Sequence, residues 1–84
     1  MKKVMLYALS TCPWCNKTKQ FFKDNNIEFE FIDYDLADDA QQEKVLSDMR
    51  KRGGGDGFPF IIIDGEVIIG YNPDKIAKAL GLKK

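Results

Sequence analysis

The sequence predicts a small α/β fold in the order β-α-β-α-β-β-α, with a four-stranded mixed sheet flanked by three helices. Three observations carry that expectation. A short apolar run from Lys3 to Ala8 leads directly into helix-start residues. A second run, beginning at Ile27, alternates apolar and charged residues as a half-buried strand does. Two β-rich runs then flank Asp64-Gly65, the strongest short hairpin signal in the chain. One parallel β-α-β unit followed by an antiparallel hairpin makes the sheet mixed.

Each element has its own local reason. Lys3 to Ala8 is nearly continuous in apolar side chains, the pattern of a strand covered on both faces. Ser10-Thr11 are helix-start residues, and Pro13 suits a first helical turn. From Pro13 to about Asn25, residues Cys15, Thr18, Phe21, Phe22 and Asn25 recur at helical spacing, while Lys17, Lys19 and Lys23 point elsewhere. Asn25-Asn26 stop that helix. In Ile27 to Tyr34, Ile27, Phe29 and Phe31 share one side and Glu28 and Glu30 the other, which suits a sheet edge. Asp38 and Asp39 open a second helix to about Arg52, with Val45, Leu46 and Met49 as its stripe, and Gly53 to Gly57 break it. Phe58 to Ile63 and Glu66 to Gly70 are the hairpin strands. Pro73 begins the last helix, with Ile76, Ala77 and Leu80 inward and Gly81 at its end.

Composition narrows the chemistry. Eighty-four residues allow one domain, spanning 1–84, with a modest core. Thirteen basic residues balance thirteen acidic ones, which gives no reason to expect nucleic acid or an anionic membrane as partner. No apolar run approaches the roughly 18 residues of a membrane span, and no signal peptide is readable, because Met1-Lys2-Lys3 precedes too short an apolar stretch. A cytoplasmic chain is expected. The absence of histidine excludes His-dependent triads and His-ligated metals.

What remains for chemistry is Cys12-Pro13-Trp14-Cys15, placed between a strand and a helix. Cys12 falls where the helix's free N–H groups and positive dipole end converge, which favours its thiolate. In such motifs the thiol pKa drops from ~8.5 to about 3.5–7.5. Cys15, one turn later on the apolar side, is placed to attack a mixed disulfide formed on Cys12. Cys12 is therefore expected as nucleophile and Cys15 as resolving thiol. A structural staple would gain little, since so small a ring removes little unfolded-state entropy. A closed metal site needs four ligands, so a cluster or zinc would have to be shared across a dimer, and Pro13 stiffens the turn against that.

The Cys12-Pro13-Trp14-Cys15 turn, the later Phe58-Pro59 and the closing Gly70-Tyr71-Asn72-Pro73-Asp74 together resemble the glutaredoxin family of the thioredoxin superfamily. The resemblance covers nearly the whole chain in element order and length. It implies a thioredoxin-like fold and thiol–disulfide oxidoreductase activity without a bound cofactor. It further implies a cis peptide bond before Pro59, with the Phe58 backbone facing the sulfurs and pairing with substrate. Gly70, Tyr71 and Asp74 would complete the substrate surface. Independently, X-Pro is the only common place for a cis bond, and a plain trans edge proline is the alternative.

Two subtypes compete. Glutathione-using members carry a basic residue where Leu9 stands and a backbone N–H where Pro73 has none. The Gly-aromatic-x-Pro-Asp ending instead resembles NrdH-redoxins, which serve ribonucleotide reductase and take electrons from a thioredoxin-reductase-like flavoenzyme. Those usually carry a different middle dipeptide and a basic residue in place of Leu9. The glutathione-independent reading is preferred, with a monomer acting on protein disulfides and glutathione as the competing reductant. Trp14 and Tyr71 are expected as an aromatic rim beside the cysteines. Lys17 and Lys19 read as a solvated helix face, the alternative being support for a thiolate or for an acidic partner. Lys51 and Arg52 either cap a helix or meet a substrate carboxylate. The acidic residues from Glu28 to Asp39 read as a solvated edge without metal spacing.

Overall fold

The computed structural model describes residues 3–53 and 57–82. Met1 and Lys2 of the N-terminal run, and Gly54, Gly55 and Asp56 of the expected glycine break, lie outside the described residues. The elements are β1 (Val4–Ala8), α1 (Pro13–Asp24), β2 (Glu30–Asp33), a 3₁₀ turn (Tyr34–Leu36), α2 (Asp39–Lys51), β3 (Phe60–Ile63), β4 (Glu66–Ile69) and α3 (Pro73–Leu80).

The strand order is β2-β1-β3-β4, with β1 parallel to β2 and antiparallel to β3. This explains why β1 and β3 are apolar at every position. Val4, Leu6 and Ala8 of β1 join Ile61 and Ile63 of β3 in a cluster with Phe22 of α1 and Ile76 and Ala79 of α3. Tyr7 and the β3 residues Phe60 and Ile62 face the other way, onto Val45 and Met49 of α2. Successive strand side chains alternate between faces, so α1 and α3 cover one face and α2 the other.

The turns follow from local chemistry. Asp64 and Gly65 both have positive φ, 49° and 87°, as a two-residue hairpin of the primed type requires. The Asp38 carboxylate caps α2 by accepting from the Gln41 N–H at 2.8 Å. Asn72 caps α3 in the same way, accepting from Lys75 N–H at 3.1 Å, and Pro73 occupies the first turn.

Two expectations need correcting. β2 is shorter than Ile27 to Tyr34, and its apolar side is not uniformly buried. Ile27 and Phe29 pack on the α1 side, but Phe31 stays 49% exposed. What α1 sets over Phe31 is the Lys19 side chain rather than an apolar one, so alternation alone does not bury the last residue of the row. Ser10-Thr11 also do not cap α1, whose N-cap is Cys12. The Ser10 hydroxyl is held instead by the Asp35 carboxylate.

Candidate active site

The parallel pairing of β1 and β2 sends both strands toward the same end of the sheet, and the cysteines sit there. The chain leaves β1 at Ala8, turns through Leu9 to Cys12, and enters α1 at Pro13. The Cys12 N–H donates to the Leu9 carbonyl at 3.1 Å, closing the turn. The Cys12 carbonyl then accepts the first helical bond, from Asn16 N–H at 3.1 Å. Thr18, buried on the same helix face as Cys15, satisfies its hydroxyl on the Trp14 carbonyl at 2.9 Å.

Both cysteines are free thiols, and their surroundings differ. Cys12 is partly exposed, whereas Cys15 is 0% exposed. Partial burial works against charge on Cys12, but the N–H groups of Cys15 and Trp14 and the Cys15 thiol face its sulfur, and together they hold its pKa below the ordinary thiol value. Burial pushes Cys15 up to about 11. Hydrogen bonding and charge from the Cys12 sulfur act in the same direction and are part of that rise. Against this, the Leu9 N–H donates to the Cys15 sulfur at 3.4 Å and the Lys19 ammonium lends its charge. The two sulfurs titrate together, and of the pair Cys12 is the one that gives up its proton first while Cys15 holds its own.

Among the other expected segments, the end of the hairpin meets the start of α1 through Tyr71 and Trp14. The Phe58–Pro59 peptide bond is cis, and Pro59 is fully buried. The Pro59 carbonyl accepts from Gly70 N–H at 2.8 Å, so the proline and the end of the hairpin are tied together. Gly70 has φ 86°, a conformation that favours glycine, and it turns the chain so that Tyr71 reaches the α1 side. Tyr71 stacks on Trp14 with ring centroids 6.1 Å apart and meets Phe21 edge-on. Trp14 is 55% exposed, with the Lys17 ammonium 4.8 Å from its ring centre. Phe58 meets the Tyr34 ring at 5.6 Å. Asp74 lies exposed in the first turn of α3.

Lys19 departs from its expected role, whereas Lys51 and Arg52 take the first of theirs, closing the C-terminal end of α2. Lys19 is not on a solvated face: its side chain is 16% exposed, paired with Asp33 at 2.8 Å and set over the Phe31 ring. The β1–β2 register places Asp33 beside Ala8, directly behind the active-site turn, and so gives the ammonium its partner. Arg52 pairs with Asp48 at 3.1 Å, and Asp48 in turn accepts from the Tyr7 hydroxyl. These residues line a groove of about 580 Å³ toward the N-terminal end of β1, together with Lys3 and Met5, and neither cysteine borders it. Among the described residues, no cluster of three or more His, Cys, Asp or Glu side chains is placed to hold a metal ion.

Comparison with known proteins decides the family. The glutaredoxin family model matches residues 4–68. The chain belongs to the glutaredoxin family. It is 38% identical over 77 residues to a glutaredoxin-like 8.6 kDa protein in the rubredoxin operon of Clostridium pasteurianum, covering 92% of this chain and 96% of that one. Among solved structures, it resembles a glutaredoxin from Methanosarcina mazei with a TM-score of 0.87 at 33% identity, over 95% of this chain and 79% of that one. It also resembles the methanoredoxin of Methanosarcina acetivorans, with a TM-score of 0.84 at 31% identity over 95% and 85% of the two chains. The fold is therefore thioredoxin-like, and like other glutaredoxins the protein is a thiol–disulfide oxidoreductase that carries electrons. No helix among the described residues is long and apolar enough to cross a membrane.

The contrast between the thiols has a direct consequence for glutaredoxin labelling. With iodoacetamide at pH 7, the native reduced protein is expected to take up one equivalent, on Cys12, while Cys15 reacts only after unfolding. The rate should fall as pH drops through the depressed Cys12 pKa and level off above it, below the value of a free thiol. Mass spectrometry of the labelled peptides checks the site, and modification of Cys15 first would contradict the assignment.

Proposed function

We propose that the protein reduces protein disulfides through Cys12 and Cys15, as a monomer in the cytoplasm without a bound cofactor. The Cys12 thiolate attacks a substrate disulfide; one substrate sulfur joins Cys12 and the other leaves as thiolate, taking a proton. Cys15 gives up its proton and attacks the Cys12 sulfur, expelling the second substrate sulfur and forming the Cys12–Cys15 disulfide. Two electrons pass to the substrate with one proton from Cys15, and the second proton comes from solvent because Cys12 enters as the thiolate. The observation that carries this reading is the division between a partly exposed, acidified Cys12 and a buried Cys15 pushed up to about 11.

The substrate surface is the rim of Trp14 and Tyr71 with the backbone at Phe58-Pro59 and Gly70, and Asp74 at the helix start. An extended substrate segment pairs with the Phe58 backbone as an added strand would. Trp14 offers a protein partner an exposed aromatic face. Ribonucleotide reductase is a candidate substrate on the strength of the Gly70-to-Asp74 pattern.

The oxidised protein takes electrons from a thioredoxin-reductase-like flavoenzyme, the alternative being glutathione. Leu9 leaves the active-site turn without a cation for a glutathione carboxylate, and Pro73 at the first turn of α3 has no N–H to offer a carboxylate. The test is reduction of the Cys12–Cys15 disulfide by NADPH with thioredoxin reductase, set beside reduction by glutathione. NADPH oxidation should be fast with the flavoenzyme, and glutathione should reduce the protein at no more than about a tenth of that rate, the ratio expected for one lost charged contact. Faster turnover with glutathione would assign the protein to the glutathione-dependent subtype.

A further inference from the structure

Within the acidic run that reads in sequence as a solvated edge, Asp35 has a structural task at the active-site turn. β1 and β2 pair in parallel, with Met5 opposite Glu30 and Ala8 opposite Asp33. Carried two residues past the strand ends, that register brings Ser10 opposite Asp35. There Asp35 Oδ1 accepts the Ser10 N–H at 2.8 Å, while Oδ2 accepts the Ser10 hydroxyl. Both carboxylate oxygens are thus committed to one residue of the active-site turn.

Ser10 is the second residue of the turn from Leu9 to Cys12. Leu9 serves both cysteines: its carbonyl holds the Cys12 N–H at 3.1 Å, and its N–H donates to the Cys15 sulfur at 3.4 Å. We propose that Asp35 is a positioning residue for the resolving step, gripping Ser10 so that the Leu9 N–H stays aimed at Cys15 while that sulfur becomes charged. The inference rests on the assignment of Cys15 as the resolving thiol. An N–H directed at sulfur stabilises the thiolate more than the thiol, so it helps only when Cys15 gives up its proton to attack Cys12.

The other charged groups facing Cys15 are Lys19, which favours its ionisation, and the Cys12 sulfur, which opposes it. Lys19 also attracts Asp35 and is paired with Asp33, so one ammonium joins α1 to the end of β2. A negative charge on Asp35 would by itself oppose a thiolate on Cys15. Grip and charge therefore have opposite signs, and substitution separates them. Asparagine keeps an oxygen for the Ser10 N–H and an amide that can donate to the Ser10 hydroxyl, whereas alanine keeps neither.

The experiment mixes the reduced protein with a symmetric aromatic disulfide whose released thiolate absorbs visible light. The first phase of release reports attack by Cys12, and the second reports resolution by Cys15. In Asp35→Ala the second phase should slow about fivefold at pH 7, the scale of one net hydrogen bond. Its pH profile should move to higher pH, with the first phase within about twofold of the parent. Asp35→Asn should recover at least about half of the parent's second-phase rate. An unchanged second phase in Asp35→Ala, equal slowing of both phases, or an asparagine variant as slow as alanine each overturns the proposal. If circular dichroism shows Asp35→Ala unfolded, Ser10→Ala removes the hydroxyl bond alone and should slow the second phase about twofold, with no slowing counting against the idea. Should the parent protein itself release only one thiolate, the assignment of Cys15 fails, and that failure is distinct from one confined to Asp35.

Discussion

Replacing Cys12 with serine is expected to reduce catalysed disulfide reduction to background, a loss of roughly three orders of magnitude or more, as removal of a covalent nucleophile causes. The physical reason is the ionisation of the attacking group. The N–H groups at the start of α1 and the Cys15 thiol face the Cys12 sulfur and hold its pKa below the ordinary thiol value, which favours the attacking thiolate. Serine's hydroxyl does not ionise under the same influence, and the chain has no histidine to act as its base. Cys15→Ser should behave differently. It keeps the attacking thiolate and loses only the group that releases the adduct, so a mixed disulfide on Cys12 should accumulate. An insulin-reduction assay with mass spectrometry of the intact protein separates the two outcomes. Full activity in Cys12→Ser, or no adduct in Cys15→Ser, would reverse the roles assigned to the pair.

The features that make this chemistry legible in sequence are local ones. Cys12 and Cys15 stand next to Pro13, which marks where α1 starts, and the start of a helix is where a thiolate is stabilised. Asp64-Gly65 names the hairpin by its own backbone demands, and Asn72-Pro73 and Gly81 bracket α3 by capping chemistry. Each of those inferences needs only neighbours in the chain.

What escapes sequence reading depends on neighbours across the sheet. Lys19 looks like any solvated helix lysine until β2 brings Asp33 to within 2.8 Å of it. Ser10 reads as a helix cap because its hydroxyl has no other visible partner, and the partner it finds is in the 3₁₀ turn that follows β2. Phe31 reads as buried because it continues a row with Ile27 and Phe29, and only the packing of α1 shows that its neighbour there is the Lys19 side chain and that it stays exposed. The parallel register supplies the missing link. Once Ala8 is paired with Asp33, both Lys19 and Ser10 acquire their carboxylates together.

Phe22→Ala is expected to cost about 3–5 kcal/mol, the range for truncating a fully buried phenylalanine. Phe22 is 0% exposed and is the side chain that presses α1 onto the sheet, meeting Phe29 at 4.9 Å between ring centroids and Phe21 at 6.2 Å. Its carbonyl also accepts the Ile27 N–H at 2.8 Å, so the ring anchors the point where the chain leaves the helix. A domain of this size holds only about 4–13 kcal/mol in total, and the substitution therefore removes a large share of it. Urea unfolding followed by far-ultraviolet circular dichroism should show the midpoint falling by about 3–5 M, at a slope near 1 kcal/mol/M. The same loosening should reach the chemistry, because α1 stabilises the Cys12 thiolate only while its N-terminus is held against the turn. Iodoacetamide titration of the folded variant should then place the Cys12 pKa closer to that of a free thiol than in the parent. A midpoint shift under about 1 M, or a Cys12 pKa unchanged despite the full loss of stability, would show that the helix is held by contacts other than Phe22.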